Sequence, residues 1–360
     1  MPLRVPRIVS NTAAVALVGA TAVLSLAFAR SRPGRPNGAY SRIADEPHLH
    51  NVRQLTFGGQ NAEAYFSHDG RRIIFQSTRD GRSCDQQYIM NVDGSDVHRI
   101  SVGAGKTTCG YFFAGDERVF FASTHAVDTA CPPRPDPSKG YVWRLDPYDI
   151  YTANTDGSKL RRLTTNGIYT AEGTLSPDGR TIVFTSLKDG DLDIYTMNVD
   201  GSNIRRLTNT PGYDGGPFFS PDGKQIVYRA WHPRDTALAN YRALLGQRLV
   251  RPNRMEIWIM NADGSNQHQI TNLGGANFAP YYTPDGKRII FSSNYKNPHS
   301  RNFDLFLVNT DGTGLVQVTN HPEFDGFPMF SPDGTKLLWA ANRNGSSIEQ
   351  LDIYIADWVD

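Results

Sequence analysis

One short turn signature returns six times along the 360 residues of this chain, and a period of that kind points to a fold built from stacked copies of a single unit. The copies are Ser67-His68-Asp69-Gly70, Ala114-Gly115-Asp116-Glu117, Ser176-Pro177-Asp178-Gly179, Ser220-Pro221-Asp222-Gly223, Thr283-Pro284-Asp285-Gly286 and Ser331-Pro332-Asp333-Gly334, the second of them degraded. Proline presets φ at the first turn position, and glycine takes the positive φ that ends it. An apolar, β-branched run follows each turn, as in Thr181 to Ser186, and a second such run follows after a loop, as in Asp193 to Asn198. That second run leads into a hairpin dipeptide at Asp93-Gly94, Asp156-Gly157, Asp200-Gly201, Asp263-Gly264 and Asp311-Gly312. Each unit therefore reads as a four-stranded antiparallel meander, with strands a to d.

The ends of the repeat are complementary. After the last a-b turn the sequence supplies only two more strands, ending with Asp352 to Asp360, so strand d is missing. Before the first unit, Asn51 to Thr56 resembles a strand d with no a, b or c ahead of it. Pairing the two would close a ring and leave only short, protected edges. The expectation is an all-β protein, a six-bladed β-propeller over residues 51–360, in which the N-terminal strand completes the last blade.

Composition narrows the function classes. Lys+Arg 37 against Asp+Glu 36 leaves a formal charge of +1, so no overall field recruits nucleic acid. Residues 1–29 carry Arg4 and Arg7, then an alanine-rich apolar run with a small-x-small site at Ala27-Phe28-Ala29. This reads as a secretory signal peptide or a membrane anchor, followed by a Pro/Gly/Arg-rich linker over 30–50. Export makes disulfides available to Cys84, Cys109 and Cys131. All three fall on the face that carries the b-c loops and the d-to-a crossings, at neighbouring blades. Pairing of Cys109 with either of the others is one expectation, and the sequence does not choose.

The same face carries two long b-c insertions, at 124–147 and 231–256, the second with a helix expected from Asp235 to about Leu249. Long loops on a rigid scaffold are where binding concentrates. Beneath them, six residues back from each a-b turn, stand Asn61, Thr108, Thr170, Asp214, Asn277 and Asp325, with Glu63 and Glu172 two positions further on. Placed at the channel mouth, these oxygens could bind a polar ligand, and Asp214 with Asp325 a calcium ion. The alternative is local capping at each strand entry. Acids that precede strand c (Asp149, Asp193, Glu256, Asp304, Asp352) read as structural ties. There is no Gly-x-Ser-x-Gly elbow, His-Glu-x-x-His pair or P-loop.

The repeats Ser-Pro-Asp-Gly-(Lys/Arg)-x-Ile-x-Phe, Ile-Tyr-x-Met-Asn-x-Asp-Gly-Ser and Arg-Arg-Leu-Thr resemble the WD-like propeller repeat of the TolB family. In that family the propeller follows an N-terminal α/β domain and serves as a periplasmic protein-binding platform. The resemblance implies an exported binding platform, and with the missing catalytic motifs the expectation is a non-enzymatic propeller with no cofactor, calcium being possible at the oxygen ring. Its expected ligand is a protein or peptide, or a carbohydrate, and the membrane is touched only through the N-terminal segment, if that segment is uncleaved. The alternative is a hydrolase or lyase with a carboxylate site at the channel mouth.

Overall fold

The computed structural model describes residues 46–347 and 349–360. The signal or anchor expected over 1–29, and most of the linker, lie outside the described residues. Strands pair as antiparallel meanders: Asn61–Phe66, Arg72–Ser77, Gln86–Asn91 and His98–Arg99 make the first, and the same a-b-c-d order recurs through the chain. Two neighbouring meanders are joined at one end by a short parallel contact between Arg254–Asn261 and Gly275–Tyr282. The inner strands Asn61–Phe66, Thr107–Phe112, Thr170–Leu175, Tyr213–Phe219, Gly275–Tyr282 and Asp325–Phe330 touch one another in that order, and the first also touches the last. The result is a closed β-propeller.

Each repeat builds itself from the same side-chain bonds. In the a-b turn the Ser or Thr hydroxyl donates to the turn Asp at 2.6–2.7 Å and accepts the N–H five residues on, as in Ser176 with Asp178 and Thr181. At the other end of the blade, the acid before strand c accepts from a Thr on the outer strand, whose hydroxyl in turn accepts the next strand-c N–H. Thr164 does this between Asp149 and Ile150 at 2.8 and 2.9 Å, and Thr56, Thr208, Thr271 and Thr319 repeat it. Blade 1 substitutes Gln86, which accepts from Ser101 at 2.7 Å. These acids are therefore structural ties, as the sequence suggested. Burying them would be costly without such partners.

Closure uses the N-terminal strand. Leu49–Gln54 pairs antiparallel with Asp352–Trp358, matching Leu49 to Trp358 and Gln54 to Tyr354, so ordered propeller begins inside the segment read as linker. The chain before it is also pinned. Glu46 is fully buried and accepts two hydrogen bonds from Arg343 (2.7 and 2.8 Å) and one from Asn320 N–H. The same guanidinium donates to both oxygens of Asp325 at 2.9 Å, and Trp339 Nε1 donates to that carboxylate as well. One cation thus holds two buried anions together at the seam. Arg343→Met should cost about 3–5 kcal/mol in urea unfolding, because two carboxylates lose their counter-ion. Adding Glu46→Gln and Asp325→Asn should recover part of that loss.

Candidate functional site

Every inner strand is interrupted at the same place. The register slips between Ala62 and Tyr65, Thr108 and Tyr111, Ala171 and Thr174, and likewise in the other three blades. At each slip one residue takes positive φ: Glu63 (47°), Cys109 (51°), Glu172 (58°), Gly216 (60°), Ala279 (50°) and Phe327 (57°). These are bulges repeated around the ring, and bulges re-aim side chains. Left-handed backbone is strained for side chains such as these. Part of the compensation comes from the preceding blade, whose second strand caps the bulge N–H: Gln76 for Cys109, Thr185 for Gly216 and Ser292 for Phe327, at 3.1–3.3 Å.

The predicted ring residues sit two positions earlier, and the structure turns them inward to the blades. Asn61, Thr170, Asp214, Asn277 and Asp325 are fully buried. Asn61 binds Gly58 O, Leu351 O and Asp352; Asn277 binds Met255 O and Ser293; Thr170 meets Ser186. Asp214 accepts from His232 Nε2 at 2.9 Å, and Asp325 from Arg343 and Trp339. In blade 2 the equivalent residue is Thr107, not Thr108. Thr107 is buried opposite Ser123, as Asn61 is opposite Ser77. The reading slipped by one because Phe113, not Ala114, opens the degraded turn, as shown by Asp116 N–H bonding Phe113 O. Asp116 takes the glycine place at φ 58° and reaches back to cap His68 and Asp69 N–H of blade 1. Asp214 and Asp325 each have their own partner, and no three His, Cys, Asp or Glu side chains converge on a cation among the described residues.

Four of the bulge residues, Glu63, Cys109, Glu172 and Phe327, by contrast, line a cavity of about 930 Å³ on the axis at the looped face. Below it the axis is shut: Tyr65 of blade 1 packs on Phe218 of the opposite blade at 5.8 Å, with Tyr111 and Tyr281 against them at 5.6 and 5.2 Å. Above it the two insertions meet. Trp143–Arg144 of the first pairs with Leu249–Val250 of the second, so the roof is a small sheet made from both loops. That pairing also explains why the helix ends at Leu245 rather than Leu249: Gly246 caps it and the chain then turns into strand. Tyr241 anchors the helix, its one hydroxyl proton shared between Asp191 Oδ1 (2.6 Å) and Gly212 O (2.7 Å).

The cavity has two unlike walls. On one side Phe278, Phe303, Phe324 and Phe327 pack ring to ring at 5.1–6.4 Å, with Trp143 edge-on to Phe278. On the other stand Glu63, Cys109 and Glu172. Glu172 is held by Arg229, which also donates to Tyr213 OH and lies over the Trp143 ring. Arg229 fits because the bulge in blade 4 is glycine: a Cβ on Gly216 would lie 2.1 Å from its guanidinium. Gly216 N–H also donates to Glu172 at 2.9 Å. Among the described residues Glu63 has no such ion pair, and its Oε2 is shut from solvent without a hydrogen-bond partner. Burial pushes its carboxyl from 4.5 up to about 7, with the Cys109 thiol opposing and the Glu172 charge reinforcing. Burial, and then the nearby glutamates, also push Cys109 well above the usual thiol range. The sequence gives no sign of the Phe wall, which gathers Phe278 and Phe327 from inner strands, Phe324 from a d-to-a crossing and Phe303 from a b-c loop.

A family model described as the TolB beta propeller domain matches residues 134–243 and 245–357. The chain belongs to the TolB β-propeller family. No curated protein matches it significantly. Among solved structures, this TolB-family propeller is similar to a TolB-type protein from Agrobacterium tumefaciens (18% identity, TM-score 0.57, covering 84% of this chain and 91% of that one). It is similar also to TolB from Acinetobacter baumannii (16%, 0.52, covering 84% and 64%) and to an oligogalacturonate lyase in complex with manganese (15%, 0.54, covering 90% and 96%). At these identities the likeness is one of fold.

Glu63 gives the TolB-family propeller a testable pH signature. Between pH 4.5 and about 7 the unfolded chain has released a proton that the folded chain keeps, so stability falls as pH rises across that window. Comparing wild type with Glu63→Gln isolates this group. The variant should gain on the order of 2 kcal/mol at pH 8 relative to pH 4, read from urea midpoints.

Proposed function

We propose that this propeller is an exported binding module of the cell envelope that takes a peptide segment of a protein partner into the roofed cavity. The observation that carries the reading is the cavity's division into a phenylalanine wall and a carboxyl wall under a roof built from both insertions. Phe faces favour an apolar side chain over a sugar ring that would arrive well hydrated. The unfilled Glu63 Oε2 favours an N–H or hydroxyl donor. Protein binding is also what the TolB family resemblance implies. Selection of displayed random peptides on the immobilised chain should enrich sequences with a large apolar residue beside a Lys, Arg or amide donor. Phe278→Ala/Phe327→Ala should weaken the selected peptides at least tenfold in titration calorimetry. Equal binding by wild type and variant would place the ligand elsewhere.

A second reading rests on Glu63, whose carboxyl near pH 7 is suited to general acid–base work. The named activity of one fold neighbour supplies the substrate class to try. Oligogalacturonate with manganese should give no unsaturated product above the Glu63→Gln background if the module only binds. Turnover that is lost in Glu63→Gln would favour the enzyme.

A further inference from the structure

Of the three cysteines, the structure separates one from the other two. Cys109 is buried at the blade 2 bulge, where its sulfur meets Thr108 Oγ1 at 3.2 Å beside Glu63. Cys84 and Cys131 instead line one pocket at the outer edge of the looped face, together with Lys106 and Arg134. They converge on Gly105. The Cys84 thiol donates to Gly105 O at 3.3 Å, while Gly105 N–H donates to Thr129 O at 2.7 Å, two residues before Cys131. Gly105 permits this approach, since at φ 63° a Cβ would lie 2.6 Å from Thr124 Oγ1 and 2.9 Å from Asp128 O. Burial, and then the neighbouring Cys131 thiol, push Cys84 up to about 12.

We infer that Cys84 and Cys131 close a disulfide that staples the blade 2 insertion to blade 1, leaving Cys109 as the one thiol, on the wall of the cavity. The insertion has little else to hold its first half. Residues 126–130 are exposed, and the Arg134–Glu349 ion pair joins side chains that are 76% and 55% exposed, a geometry worth little in water. From the staple the chain runs on to Trp143, which lines the cavity and pairs with the second insertion. Fixing Cys131 therefore limits how far that side of the roof can lift. The inference concerns the roof and does not depend on what the cavity takes.

The chemistry is ordinary thiol–disulfide exchange with a small-molecule or protein disulfide. The Cys131 thiolate attacks one sulfur of the incoming disulfide and expels the other as a thiolate. Cys84, deprotonated, then attacks the Cys131 sulfur of the mixed disulfide and expels the second thiolate. Two protein thiols are oxidised, the disulfide is reduced to two thiols, and the protons released by the cysteines pass through water to the leaving groups. The raised Cys84 thiol makes the second step the slow one.

The test equilibrates the purified full chain with oxidised glutathione, blocks free thiols and maps peptides without reduction. This reads the geometry whatever compartment the protein occupies. A Cys84–Cys131 linked peptide, with Cys109 recovered as an unlinked thiol, is expected, and the link should persist in Cys109→Ser. Three free thiols, or a link through Cys109, would overturn the assignment. Reduction should lower the thermal midpoint of the wild type by a few degrees and leave the Cys84→Ser/Cys131→Ser double variant unchanged. Equal shifts in both would overturn the stapling role.

Discussion

Ring closure between Leu49–Gln54 and Asp352–Trp358 is the interaction on which the rest depends. A blade alone is a small antiparallel sheet with two open edges, and its stability comes from packing against its neighbours. The closing pair turns six such sheets into a loop of mutual supports, since the first inner strand then packs against the last. The buried Glu46–Arg343–Asp325 network lies at this seam. Its orientation is demanding because each charge is desolvated, and it sets where the N-terminal chain meets the looped face.

Closure also explains the cavity. Six inner strands converge on one axis, and large side chains one turn of pleat below the bulges fill it, Tyr65 reaching Phe218 across the ring. What remains open is the volume above that plug. The bulges shape its chemistry: four of them set Glu63, Cys109, Glu172 and Phe327 on its wall, while blades 4 and 5 carry a glycine and an alanine at that position. Six equivalent backbone positions thus carry six different environments. Fold similarity alone assigns no function, so the proposed role rests on the residues that line this volume and on the roof above them.

The architecture was legible because its determinants are local. Ser-Pro-Asp-Gly and Asp-Gly turns fix strand order, and the Thr and Asp of each outer tie repeat within a blade. The odd strand at each end was enough to infer closure. Where the reading slipped, a non-local compensation was responsible. Asp116 stands in for glycine by capping the neighbouring blade, which shifted Thr107 to Thr108. The helix was drawn too long because Leu249–Val250 has a partner a hundred residues away. The oxygens at the strand starts were visible, but sequence could not show that they are taken up by bonds within and between blades, as Asn61 is by Asp352, while Glu63 and Glu172, two residues on, enter the channel. The Phe wall is assembled from segments that are apolar for any purpose, so only the fold reveals their shared surface.

Hydrogen exchange of the N-terminal strand tests the central claim most directly. If Leu49–Gln54 completes the last blade, amides of peptide 49–55 and of peptide 352–358 should exchange together, with protection close to that of the inner strands and lost only on global opening. Exchange of 49–55 within seconds, while 352–358 stays protected, would contradict closure by this strand.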